Sequence, residues 1–126
     1  MIKKILLDTN FLLIPAQFKV DIYSEIARIC NFQYELYVMD KTIIELNNII
    51  NEGKGKNREA AKLAKSILEA KKPKILKTSA EDYVDNIILG LKGYIVATQD
   101  KALRSMLKKH NVKTIVLRQK NHLVLE

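Results

Sequence analysis

Acidic residues recur in this chain at one kind of place, directly after a short apolar run or just inside the amphipathic stretch that follows it. Asp8 ends Lys3-Lys4-Ile5-Leu6-Leu7, and Asp100 ends Tyr94-Ile95-Val96-Ala97-Thr98-Gln99. Glu45 lies shortly after Leu36-Tyr37-Val38-Met39, while Asp82 and Asp85 follow Lys74-Ile75-Leu76-Lys77. An apolar run that hands over to a helical pattern marks the carboxyl end of a strand, the edge at which open parallel sheets bind ligands. Carboxylates gathered at such an edge repel one another unless a cation lies between them. The chain has a single cysteine, Cys30, and its two histidines, His110 and His122, stand apart. All-oxygen ligation of that kind suits Mg²⁺ or Mn²⁺ rather than Zn²⁺. Ions of this class activate water and stabilise the leaving oxygen of a phosphodiester, so hydrolysis of a phosphodiester is the chemistry these residues point to.

Each acid also has a structural use. Asp100 suits the N-cap of the helix that begins at Lys101. Thr42-x-x-Glu45 and Ser79-x-x-Asp82 both have the spacing of a capping box. Asp82 and Asp85, three apart on one helix face, sit in the first turns, where negative charge offsets the helix dipole. Both uses stand for each residue, but only the chemical one accounts for all of them collecting at one edge.

The elements that must position these acids alternate. Strands are expected at Lys3–Leu7, Leu36–Met39, Lys74–Lys77, Tyr94–Thr98 and Thr114–Leu117, and the tail His122–Leu125 can add a short edge strand. Between them, Phe11–Ile14 reads as one helical turn before Pro15, and Asp21–Ile29 as a helix capped by Asp21. Ile43, Ile44, Leu46, Ile49 and Ile50 mark a second amphipathic helix, and Asn51–Asn57, with two glycines, reads as a loop. A lysine-faced helix spans about Arg58–Ala70, and Thr78-Ser79 caps a helix over Ala80–Leu91 that Gly93 ends. Strand–helix alternation predicts an α/β domain, a parallel sheet of about five strands with helices on both faces. Right-handed crossovers then bring every strand's carboxyl end to one edge.

With 126 residues the chain is one domain's worth, spanning 1–126. Its 48% hydrophobic and 29% charged residues are those of an ordinary globular protein. No apolar run is long enough to span a bilayer, and Ile5-Leu6-Leu7 stops at Asp8, unlike a secretory signal, so an intracellular, cytoplasmic protein without a membrane partner is expected. Cys30 falls among apolar residues and reads as core. The formal charge of +8 is uneven: Gly53–Lys77 holds nine Lys or Arg against two Glu, and Lys101–Glu126 seven against one. Basic surface around an acidic pocket is the charge layout of a metal-dependent nuclease, with lysines to hold a polyanion's backbone.

Over nearly its whole length the chain resembles the PIN-domain ribonucleases. The resemblance rests on an apolar strand into Asp8-Thr9-Asn10, on Glu45-Leu46, on Glu81-Asp82 opening a helix, and on Thr98-Gln99-Asp100. Tyr94–Arg104 and Val116-Leu117-Arg118-Gln119-Lys120 are most similar to the rRNA-processing PIN endonucleases of archaea and eukaryotes, although the chain lacks the extensions of the eukaryotic members. The resemblance implies a three-layer α/β/α fold with the first and fourth strands central, and a Mg²⁺- or Mn²⁺-dependent endoribonuclease acting on RNA, an rRNA precursor being one candidate. It assigns Asp8, Glu45, Asp82 and Asp100 as the catalytic and metal-binding set. The third acid is open among Glu81, Asp82 and Asp85, with Asp85 a further metal ligand. Asn10 and Thr98 match polar positions that orient the acids, and Lys101 and Arg104, just past the last acid, together with Arg118 and Lys120, are expected to contact RNA. The same fold and site serve ribonuclease toxins, which would bring an antitoxin as partner, and non-catalytic RNA-binding or scaffold domains. A homodimer is open under any of these.

Overall fold

Apolar runs buried on both faces make the centre of the fold. The structure is a computed structural model that describes residues 2–78, 90–91 and 93–126. Its strands are β1 (Lys3–Leu7), β2 (Tyr34–Met39), β3 (Lys74–Leu76), β4 (Tyr94–Ala97), β5 (Thr114–Arg118) and β6 (His122–Leu125). They form one six-stranded sheet in the order β3-β2-β1-β4-β5-β6. The first five run parallel, and β6 pairs antiparallel with β5. The five expected parallel strands are thus joined by the tail strand, and β1 and β4 lie at the centre.

Alternation along β1 separates two cores. Ile5 and Leu7 pack with Phe11, Ile22, Ile26, Leu46 and Ala61 on one face. Leu6 packs with Val96, Leu107 and Val112 on the other. Burying one such Leu or Ile stabilises the fold by about 1.5–3 kcal/mol. The first face is covered by α1 (Thr9–Leu12), α2 (Ile14–Phe18), α3 (Ile22–Ile29), α4 (Asp40–Glu52) and α5 (Gly55–Lys71), and the second by α6 (Lys101–Lys109). This is a three-layer α/β/α fold. Cys30 is buried in the first core, and burial pushes its thiol pKa up, the opposite of an activated cysteine. Among the described residues no helix is long and apolar enough to cross a membrane.

Two local expectations change. Pro15 does not stop a helix; it stands in the first turn of α2, where its missing N–H is no loss. The loop expected over Asn51–Asn57 shrinks to Gly53-Lys54, because α4 runs on to Glu52 and α5 starts at Gly55. Thr78 bonds Asp40, and the helix expected over 80–91, with the cap expected at Thr78-Ser79, lies mostly outside the described residues. The Thr78 hydroxyl and N–H donate to Asp40 at 2.7 and 3.2 Å, tying the end of β3 to the end of β2 and holding the Asp40 carboxyl below its usual range.

The outer edge of β6 is closed by side chains. Glu25 accepts from the Leu123 N–H at 3.0 Å, Arg28 donates to the Leu123 carbonyl at 3.2 Å, and the two side chains pair with each other at 2.8 Å. Side chains that occupy a strand edge at Leu123 in this way make it a poorer template for another chain. The Arg28 guanidinium and the Leu123 N–H hold the Glu25 carboxyl at about 2, against an ordinary 4.5. A depressed folded pKa contributes stability above the unfolded value, and that contribution is lost as pH falls through the folded one. The melting temperature should therefore drop between pH 4.5 and about 2, and Glu25→Gln should flatten that part of the profile. Thermal melts of both proteins across this range check it; parallel profiles would remove Glu25 from the acid transition.

Candidate active site

The chain turns left from β1 to β2 and β3, and right from β4 to β5, so the switch in strand order falls between β1 and β4. Asp8 leaves the carboxyl end of β1 and Thr98-Gln99-Asp100 leaves that of β4. Parallel pairing of Leu7 with Ala97 continues one step further, through the Asp8 N–H to the Ala97 carbonyl at 2.9 Å. Both acids are therefore placed by the most buried part of the sheet.

Thr98 joins them. Its side chain is fully buried, and its hydroxyl donates to Asp8 Oδ2 at 2.7 Å while accepting from the Asp100 N–H at 3.1 Å. Asp8 Oδ1 accepts from the Thr9 N–H at 2.9 Å. Asn10 is held from two sides: its Oδ1 accepts the Gln99 N–H at 3.1 Å, and its carbonyl accepts from the Gln99 side-chain amide at 3.1 Å. Asp100 caps α6, its Oδ1 accepting from the Leu103 N–H at 3.1 Å. Capping does not exhaust this carboxylate, because an ionised carboxylate has about four acceptor sites. Asp8, Asn10, Thr98 and Asp100 are thus brought together, and Gln99 joins them as a fifth member that spacing alone did not single out.

Glu45 lies on α4, the helix that follows β2. Because α4 starts at Asp40, directly after β2, Thr42 lies inside the first turn and the capping box with Glu45 does not form. The Thr9 hydroxyl instead donates to that of Thr42 at 3.1 Å, both side chains being buried. This bond docks α4 against α1 beside Asp8, and Glu45, three residues beyond Thr42, shares that helix face while remaining exposed. Nothing in local spacing announced a contact between residues 9 and 42. Glu81, Asp82 and Asp85 lie outside the described residues.

The donor set bears on a metal directly. Asp8 and Asp100, with the Asn10 amide oxygen close by, are hard oxygen donors of the kind Mg²⁺ and Mn²⁺ take. Among the described residues, no three of His, Cys, Asp or Glu are grouped closely enough to hold an ion. The types fit a divalent cation, and the described residues alone do not complete a cluster.

Basic residues lead away from the acids along α6. Lys101, Arg104 and Lys108 line a groove of about 700 Å³ with Thr114 and Glu126. Glu126 pairs with Arg104 at 3.4 Å and also with Arg118, gathering both arginines onto one carboxylate. These are exposed pairs, worth about 0–1 kcal/mol, so a phosphate can compete for them. Lys120 is exposed at a turn in which both Gln119 and Lys120 have positive φ and the Asn121 N–H bonds the Arg118 carbonyl at 3.2 Å, the geometry of a type I′ hairpin.

Comparison with known proteins bears on the family and the fold. A curated relative, Ribonuclease VapC4 of Methanocaldococcus jannaschii, is 33% identical over 125 residues, which cover 94% of this chain and 93% of that protein. Among solved structures, the PIN domain endonuclease Utp24 superposes with a TM-score of 0.74 at 21% identity, covering 98% of this chain and 90% of that one. A domain of a functionally unknown protein from M. jannaschii superposes with a TM-score of 0.56 at 15% identity, covering 92% and 91%. At those identities the two structures speak for the fold alone. Residues 5–120 match the family described as PIN like domain, and with that match and the ribonuclease relative together, the chain belongs to the PIN-domain family.

Proposed function

We propose that the protein is a Mg²⁺- or Mn²⁺-dependent endoribonuclease of the cytoplasm, with Asp8, Glu45, Asp100 and an acid from residues 81–85, Asp82 first among them, as its metal-holding and catalytic set. The observation that carries this reading is the buried Thr98 hydroxyl that locks Asp8 and Asp100 together at the switch point of the sheet. When bound, a divalent ion supplies a more acidic water and charge stabilisation at the leaving oxygen. The protein's own part is positional. Thr98 fixes the direction of Asp8, and Gln99 fixes Asn10. Lys101 and Arg104, in the first turn of α6, hold the RNA backbone next to Asp100 through their positive charge. Water releases a proton as its oxygen bonds to the phosphorus, the P–O bond to the leaving oxygen breaks, and that oxygen takes up a proton.

Maturation of rRNA is the role we favour, on the likeness of Tyr94–Arg104 and Val116–Lys120 to that branch. The curated VapC4 relative supports a second reading, the ribonuclease half of a toxin–antitoxin pair, and a small antitoxin gene next to this one would decide for it. Metal binding is testable without activity. Carboxylates that repel one another when empty should make Mn²⁺ stabilising by mass action, about 2.7 kcal/mol at a hundredfold excess over Kd, or roughly 10 °C in Tm for a domain of this size. Asp8→Asn should blunt the rise. A Tm unmoved by millimolar Mn²⁺ would remove the metal site from the mechanism.

A further inference from the structure

The acids have basic surface on both sides, and the second stretch is separate from the α6 groove. A trough of about 1240 Å³ lies between α2 and the α4–α5 turn. Lys19 enters it from the end of α2, and Lys54, Lys56 and Arg58 from the start of α5. All four are exposed, and among the described residues none has a carboxylate within ion-pair distance. The one acid lining the trough, Glu59, pairs with Lys62 at 4.0 Å. Four cations drawn from two elements, with one acid already engaged, repel one another and gain from a polyanion.

Position supports a shared ligand. α2 begins two residues after α1, which Asp8 caps, and two short helical segments place Pro15 on the order of 10 Å from Asp8. α4 leaves the carboxyl edge at Asp40, and its 13 residues carry the chain about 20 Å to the turn. The trough is therefore roughly 10–20 Å from the acids. It lies on the sheet face covered by α2, α4 and α5, whereas the α6 groove lies on the opposite face. A duplex strand advancing about 3.4 Å per nucleotide spans that distance in roughly three to six nucleotides, and an extended single strand in fewer.

We infer that the trough is a second RNA-backbone site, so that the substrate is an RNA that crosses the carboxyl edge from the α6 groove and continues into the trough. The inference rests on the ribonuclease reading and adds to it a length requirement and a second set of phosphate contacts, Lys19, Lys54, Lys56 and Arg58. The test compares binding of a 6-nucleotide and a 30-nucleotide oligouridylate, in chelator, over a range of salt, by wild type and by Lys54→Ala/Lys56→Ala/Arg58→Ala. Each lost phosphate contact on a single strand removes about 0.7 from the slope of log K against log salt, so the triple variant should lose about 2 on the longer RNA, or roughly a hundredfold in affinity at 0.1 M salt. Lys19→Ala, on a different element, should lose about 0.7 by itself. On the shorter RNA, seated over the acids and the α6 groove, the loss should be smaller. Equal slopes for wild type and both variants on the longer RNA would overturn the second site and leave the ribonuclease reading standing. A wild type that binds neither RNA would overturn both.

Discussion

Asp100→Asn will lower RNA cleavage by roughly a hundredfold or more, since groups that merely orient a metal ligand are already worth 10–100-fold. RNA affinity will hold or rise, because the change removes a negative charge beside Lys101 and Arg104. Asparagine is also a good N-cap, so the bond from the Leu103 N–H survives and α6 keeps its start. The substitution thus separates the two uses of this residue: helix capping continues, and any chemistry stops. Cleavage of a labelled RNA with added Mn²⁺, alongside binding isotherms at several salt concentrations, reads both. A variant that cuts as fast as wild type would make Asp100 a cap and nothing more, and would leave a non-catalytic PIN-fold RNA-binding domain as the better description.

Thr98→Val should be nearly as damaging, although Thr98 is a positioning residue. Valine matches threonine in shape and lacks the hydroxyl, so the buried end of Asp8 and the Asp100 N–H lose their common partner. Leaving such groups unsatisfied costs about 1–3 kcal/mol of stability. Releasing Asp8 from its fixed direction should reduce cleavage by a further 10–100-fold at saturating RNA, by analogy with other groups that orient a ligand. Thr98→Ser provides the control. It keeps the hydroxyl and loses a buried methyl, so it should be about 1 kcal/mol less stable than wild type and still cleave. If serine fails to restore cleavage while both variants melt alike, the hydroxyl link does not position the acids.

The layers, the parallel strands and the central place of β1 and β4 were legible because runs such as Ile5-Leu6-Leu7 and Ile95-Val96-Ala97 leave no polar position to face water, which only a strand covered on both sides tolerates. Asp8 and Asp100 were legible for a related reason, as acids at the ends of those runs, whereas Asn10 and Thr98 were singled out only by the resemblance to the family. What stayed hidden depends on distance. The Thr9–Thr42 and Asp40–Thr78 bonds join residues 33 and 38 apart, and no local pattern encodes either. The capping box at Thr42 was a sound local pattern overridden by the start of α4 at Asp40. The start of α5, Gly55-Lys56-Asn57, is exposed throughout and has no apolar periodicity, so it read as loop, and the helix was expected only from about Arg58.

The hydroxyl bond between Thr98 and Asp8 spans 90 residues of chain. During synthesis, β1 emerges first and its carboxylate is present from the start, yet its partner on β4 leaves the ribosome only after β2, β3 and the intervening helices. At elongation rates of about 5–20 residues per second, several seconds separate the two. A chain interrupted anywhere before β4 holds one half of the site and no sheet centre to carry it. On the reading of this fold as a nuclease, an unfinished copy is silent beside the messenger and ribosome that are making it, and cleavage begins only once β4 and Thr98-Gln99-Asp100 have been made.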